Sequence, residues 1–353
     1  IAGLDIAELT RPGGRKVVLP TKFLQCPVKV WDEVNRTPAD LVSCAMRLVD
    51  TGKAVYQGQV LQSPPGVLFA TANYEDEGTF QLTPPFLDRF DVAVMVTSPQ
   101  PWDLKKIRQR GDEKTNGNLD CLLQIPEELR LNLGQIRGQI NGMKETTEHD
   151  VPQVSAFADF LYGSLRFSDV ASANLTRATK GNAWQVTQDN VDLGHFNVGP
   201  HQYTVNELSI RTVKAMMRYA KAFAWFTGKE QVELSDLKTV LPYLLWHKVQ
   251  PTRHATVNDP RLKNDRISLI EEISKSAETE YNDMRGSPAN REYALALGAL
   301  ETGLLLEKNL NADELRTVVR NAIQSIGRID KPYAITMAAH LASRYNERSN
   351  GAQ

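Results

Sequence analysis

Apolar positions come in two kinds along this chain. Short runs bounded by turns dominate up to Pro101, and longer stretches at helical spacing come after it. Val28-Lys29-Val30-Trp31 is a strand-like run that ends in Asp32-Glu33. Thr37-Pro38-Ala39-Asp40 then opens a helix: Thr37 suits the cap, Pro38 the first helical position and Asp40 the positive helix end. Leu41, Ala45, Leu48 and Val49 recur at helical spacing until Gly52 stops the helix. Residues 54–61 read as a β-hairpin turning near Gly58. Val67-Leu68-Phe69-Ala70-Thr71, ending at Asn73, and Val92-Ala93-Val94-Met95-Val96 read as two more buried strands. Apolar strands around a capped helix predict a parallel sheet covered on both faces.

Beyond Pro101 the pattern turns helical, with helical periods between Ile125 and Val170. Residues 173–205 are polar and rich in Asn, Thr and Gly, which predicts a long loop or hairpin insertion. Ser209 to Phe226 is a well-patterned helix, and Ser235-Asp236 caps another that runs to about His247. Four helical segments complete the chain, at 260–284, 288–307, 312–326 and 332–346. The expected organisation is an α/β core over 1–110, a helical portion with its polar insertion over 111–251, and a helical extension over 252–353.

Composition narrows the function classes. The formal net charge is −1, which argues against a nucleic-acid or membrane-surface partner. No apolar run approaches the ~20 residues of a membrane span. Cys26, Cys44 and Cys121 include no C-x-x-C pair, so buried free thiols and a reducing, cytoplasmic setting are expected. His195 and His201 have no neighbours that complete a metal set, and no Ser-His-Asp or Cys-His arrangement stands out. The chain opens on Ile without a signal-peptide pattern, and the expectation is a natural protein that begins earlier.

The chemistry concentrates at Asp32-Glu33. A hydrophobic strand that runs into adjacent carboxylates brings them to the carboxyl edge of a sheet, where nucleotides bind in α/β proteins. One acid can then organise Mg²⁺ through water while the other polarises an attacking water. The same pair also suits an ordinary solvated turn. A series of motifs in a fixed order along the chain favours the nucleotide reading. Asp32-Glu33-Val34-Asn35-Arg36 resembles the D-E-x-N-R segment of MoxR-type AAA+ ATPases, in the helix-2-insert group. Phe69-Ala70-Thr71-Ala72-Asn73 is similar to their sensor 1 strand, and Glu77-Gly78-Thr79-Phe80-Gln81-Leu82 to the stretch after it. Leu87-Asp88-Arg89-Phe90 matches the motif that carries the arginine finger, and Ser209-Ile210-Arg211 resembles the sensor 2 motif of the lid. The hairpin at 54–61 falls where the family has its pre-sensor 1 hairpin.

The resemblance implies a three-layer AAA+ core, incomplete at its N-terminus, with a helical lid; residues 252–353 lie outside it. It implies ATP and Mg²⁺ as cofactors, with Asp32 organising Mg²⁺ and Glu33 activating water. Asn73 would sense phosphate, Arg89 would act on a neighbouring subunit's site, and Arg211 would act from the lid. Blander roles also fit: Asn73 as a turn cap, Arg89 paired with Asp88 or Asp91, Arg211 and Arg36 as surface cations. The family further implies hexameric rings that remodel partner proteins, with von Willebrand A-domain proteins as adaptors. One element is missing: the chain has no G-x-x-x-x-G-K-[ST] segment, and Pro12-Gly13-Gly14-Arg15-Lys16 has the wrong spacing. The expectation is a sequence cut short before that loop, with weak or no ATP binding by residues 1–353. The alternatives are a non-hydrolysing scaffold or regulatory subunit, and a related motor of the DNA or chelatase kind.

Overall fold

Val, Phe and Trp favour the pleated, half-buried surface of a strand, and two such runs pair as the sequence suggests. In the computed structural model, β3 (Val28–Trp31) and β6 (Val67–Ala70) lie parallel with Val28 opposite Val67 and Trp31 opposite Ala70. The structure describes residues 2–4, 18–20, 22–37, 39–56, 58–64, 66–73, 82–96, 99–105, 108, 132–148, 151–165, 199–305, 308–329 and 332–351. The Glu77–Gln81 stretch, the glycines at 13 and 14, and most of the polar insertion lie outside them. The chain divides into two units, residues 1–90 and 91–353.

In the first unit, β1 (Ala2–Leu4) pairs antiparallel with β2 (Val18–Pro20), and the short α1 (Lys22–Gln25) buries Leu24. Helix α2 (Ala39–Thr51) buries Ala45, Met46 and Leu48, and Gly52 closes it at φ 70°, a conformation glycine adopts without penalty. The predicted hairpin is present as β4 (Lys53–Tyr56) and β5 (Gln59–Gln62), with Gly58 at φ 79° in the turn. A small core of Val34, Met46 and Phe86 is backed by Trp31, Leu68 and Ala70 from one face of the β3–β6 pair. Phe86 comes from a single helical turn, α3 (Pro84–Leu87), started by prolines in its first positions. The opposite face carries Val28, Val30, Val67 and Phe69, each about half exposed or more. Among the described residues, the face with Trp31, Leu68 and Ala70 is the one with a covering layer. Cys26 is exposed rather than buried.

Val92–Val96 forms no strand. Its backbone is taken up elsewhere: Ala93 N–H donates to the Tyr243 carbonyl (2.9 Å), and the Trp246 indole donates to the Ala93 carbonyl (2.7 Å). This segment opens the second unit. There α4 (Leu133–Gly142), α5 (Gln153–Leu165), α6 (Ile210–Phe226), α7 (Leu234–Leu245) and α8 (Arg253–Asn258) are followed by α9 (Arg266–Gly286), α10 (Pro288–Thr302), α11 (Ala312–Ile326) and α12 (Pro332–Gly351). One hydrophobic core runs through them from Val154 to Leu341. Buried Phe157, Leu161 and Leu165 on α5, and Leu237, Leu241 and Leu244 on α7, recur every three or four residues, the stripe that an amphipathic helix turns inward. Tyr281 of α9 meets Phe157 edge-on (centroids 5.5 Å) and Phe160 at 5.4 Å, and Phe160 reaches Tyr333 of α12, so α5, α9 and α12 share aromatic contacts. The cap of α7 lies earlier than predicted, at Glu233. The Asp236 carboxylate accepts the Glu233 N–H (2.8 Å), and Lys229 bridges both acids.

Candidate functional site

Parallel pairing of β3 and β6 sends both strands out at the same edge of the sheet, so the turn after Trp31 and the segment after Ala70 leave side by side. Two backbone bonds extend the pairing beyond the strands: Thr71 N–H to the Trp31 carbonyl (3.0 Å) and Val34 N–H to the Thr71 carbonyl (2.9 Å). Between them the chain turns sharply. Glu33 sits at φ 51°, ψ 50°, the one non-glycine residue with positive φ among the described residues. A 3₁₀ turn over Val34–Arg36 comes next and buries Val34 and Asn35. A bulky residue in the left-handed region persists only where its surroundings hold it.

Thr71 is hydrogen-bonded into this turn. Its hydroxyl donates to Asp32 Oδ1 and accepts the Glu33 N–H at 2.9 Å. Asn35, 4% exposed, donates through Nδ2 to the Asn73 carbonyl (2.7 Å), and its own Oδ1 is buried without a hydrogen-bond partner. Asp32, Glu33 and Asn73, predicted from sequence, are thus brought together; Thr71 and Asn35 join them. Arg36 lies 3.3 Å from the Glu33 carboxylate as a solvent-exposed pair. Arg89 is in the turn after α3, where its Nη1 donates to the Pro85 carbonyl (2.6 Å) and its Nε to Asp50 Oδ2 of α2 (2.8 Å). Its acidic partner is therefore Asp50, not Asp88 or Asp91. Arg211 belongs to the second unit, in the first turn of α6. Ser209 caps that helix by accepting the Thr212 N–H (3.2 Å), and no acid occupies the first turn.

The acid turn suits a hard cation. Asp32 is exposed and uses one oxygen for Thr71, which leaves the other for water or a metal ion. Mg²⁺ keeps most of its waters and needs only one or two protein carboxylates besides phosphate oxygens. The phosphate-binding half is a different matter, because residues 1–353 contain no P-loop sequence to cradle the phosphates. Among the described residues no helix is long and apolar enough to cross a membrane.

Comparison with known proteins agrees with the second unit's helices. Residues 201–269 match the AAA lid domain family. A crystal structure of a "putative ATPase" from Cytophaga hutchinsonii matches over 78% of this chain and 72% of its own, with TM-score 0.50 and 19% identity. A full-length MCM homolog from Methanopyrus kandleri matches over 63% of this chain and 38% of its own, with TM-score 0.33 and 16% identity, too remote to bear on the argument. Among curated protein sequences none matches at a significant level. The fold is a mixed, mainly helical α/β arrangement, and its residues 201–269 are similar to an AAA lid domain.

Proposed function

We propose that this chain is a subunit of a MoxR-type AAA+ ring that couples ATP hydrolysis to the remodelling of partner proteins. The observation that carries the reading is the hydrogen-bonded union of the Asp32-Glu33 turn with the strand end bearing Asn73, at one sheet edge. Asp32 holds Mg²⁺ through water, and the bound ion supplies charge neutralisation on the phosphates. Glu33 takes the proton from the attacking water, and Asn73 hydrogen bonds the γ-phosphate or that water. Arg89 leaves Asp50 to serve the neighbouring subunit, and Arg211 contacts phosphate from the lid. Hexamer formation, a von Willebrand A-domain adaptor, a cytoplasmic setting and a division at 110 and 251 belong to the same reading. Hydrolysis further requires a phosphate loop from outside residues 1–353.

A second reading is a non-hydrolysing scaffold or regulatory subunit. Mixing separates the two. Glu33→Gln and Arg89→Ala, each inactive when expressed from the whole gene, should partly restore ATP turnover when combined, because some interfaces pair an intact Glu33 with an intact Arg89. An arginine finger can be worth about 10³–10⁵ in rate, so recovery is easily seen. No recovery despite demonstrated subunit exchange would exclude Arg89 acting in trans, and a wild type without turnover would favour the scaffold.

A further inference from the structure

We infer that Thr71 is the positioning residue of the candidate hydrolytic site, its hydroxyl setting both the Asp32 carboxylate and the left-handed turn that presents Glu33; this rests on the hydrolysis reading above. The direction of each bond is dictated by chemistry. An ionised carboxylate only accepts, so the single hydroxyl proton of Thr71 goes to Asp32 Oδ1. Its lone pairs then face the Glu33 N–H, 2.9 Å away. One atom thereby fixes two consecutive residues with different roles.

The rest of Thr71 is engaged as well. Its N–H and carbonyl bond Trp31 and Val34, on either side of the acid pair. The four bonds span the turn from its entry to its exit, and β-branching restricts the rotamer of the hydroxyl relative to that frame. Without the hydroxyl, the Glu33 N–H loses its acceptor and Asp32 is free to rotate, while both backbone bonds stay. The backbone at Glu33 would then have less to oppose its relaxation out of the left-handed region, where non-glycine residues are disfavoured. Asp32 and Glu33 are the residues assigned to the cation and to the water, so both functions depend on this group.

Thr71→Val keeps the shape and removes the hydroxyl; Thr71→Ser keeps the hydroxyl. In protein expressed from the whole gene, Thr71→Val should lower kcat about 10- to 100-fold, as loss of outer-shell partners of metal ligands does. KM for ATP should stay within about threefold, since the phosphate contacts are untouched. The Mg²⁺ concentration for half-maximal rate should rise. Thr71→Ser should restore most of the rate. Amide exchange at Glu33, read by NMR, should quicken in the valine variant and not in the serine variant. An active wild type with unimpaired Thr71→Val, or equal impairment in both variants, overturns the inference while leaving the hydrolysis reading intact. A wild type with no turnover removes the hydrolysis reading and this role with it.

Discussion

Replacing Glu33 by glycine and, separately, by alanine measures the strain held at the acid turn. Both variants lose the carboxylate and its exposed pairing with Arg36, so that contribution cancels between them. At φ 51° alanine keeps the steric penalty of the left-handed region, about 1–2 kcal/mol, and glycine does not. Glycine costs about 0.4–1 kcal/mol more in unfolded-chain entropy. The difference leaves Glu33→Gly more stable than Glu33→Ala by roughly 0.5–1 kcal/mol. At an ordinary position the order is reversed, with glycine the worse by a similar amount. Native-state hydrogen exchange of the Val67 and Thr71 amides, which lie in the β3–β6 ladder, reads this unit directly. Exchange should be about two- to fivefold slower in the glycine variant, at a tenfold change per 1.36 kcal/mol. Faster exchange in the glycine variant would mean that Glu33 carries no left-handed strain.

Two further predictions concern the second unit. Ser209→Ala removes the acceptor for the Thr212 N–H at the start of α6 and should cost about 1 kcal/mol, lowering the melting temperature by about 2–4 °C in a calorimetric scan. Glu233, Asp259 and Asp265 have carboxyl pKa values held below the usual range, by hydrogen bonds chiefly from Lys229, from Arg261 and from the Ser268 amide respectively. The unfolded chain takes up protons at these groups first, so their stabilisation is complete above about pH 4.5 and is lost as pH falls through the lower folded values. Asp159 opposes this, because burial and then Glu145 raise its pKa and the folded form gains the proton first. Urea midpoints measured below that pH should fall with acidity, and less so for Asp265→Asn; an unchanged slope in that variant would remove Asp265 from the account.

Periodicity carried most of the helices and both strands of the β3–β6 pair, because those segments bury one face whatever they meet. It misread Val92–Val96, whose apolar side chains resemble a strand while its backbone partners, Tyr243 and Trp246, lie far along the chain. The acid pair was legible as chemistry at a strand end. Thr71 and Asn35 were visible only as letters within motifs, since their bonds to residues some forty positions away depend on strand register. The partner of Arg89 was missed for the same reason: neighbouring Asp88 and Asp91 are near in sequence, but the turn after α3 directs the guanidinium to Asp50 on α2. Glu233 escaped notice as a cap because Glu is not among the favoured cap residues; its reciprocal bond with Asp236 identifies it.

The central claim is that Glu33 activates water for ATP hydrolysis. Steady-state ATP turnover and nucleotide affinity should be measured side by side for the wild type and Glu33→Gln, both expressed from the whole gene. The account predicts turnover reduced about 10²–10⁴-fold, with the Kd for ATP nearly unchanged. Turnover in Glu33→Gln equal to that of the wild type would contradict it.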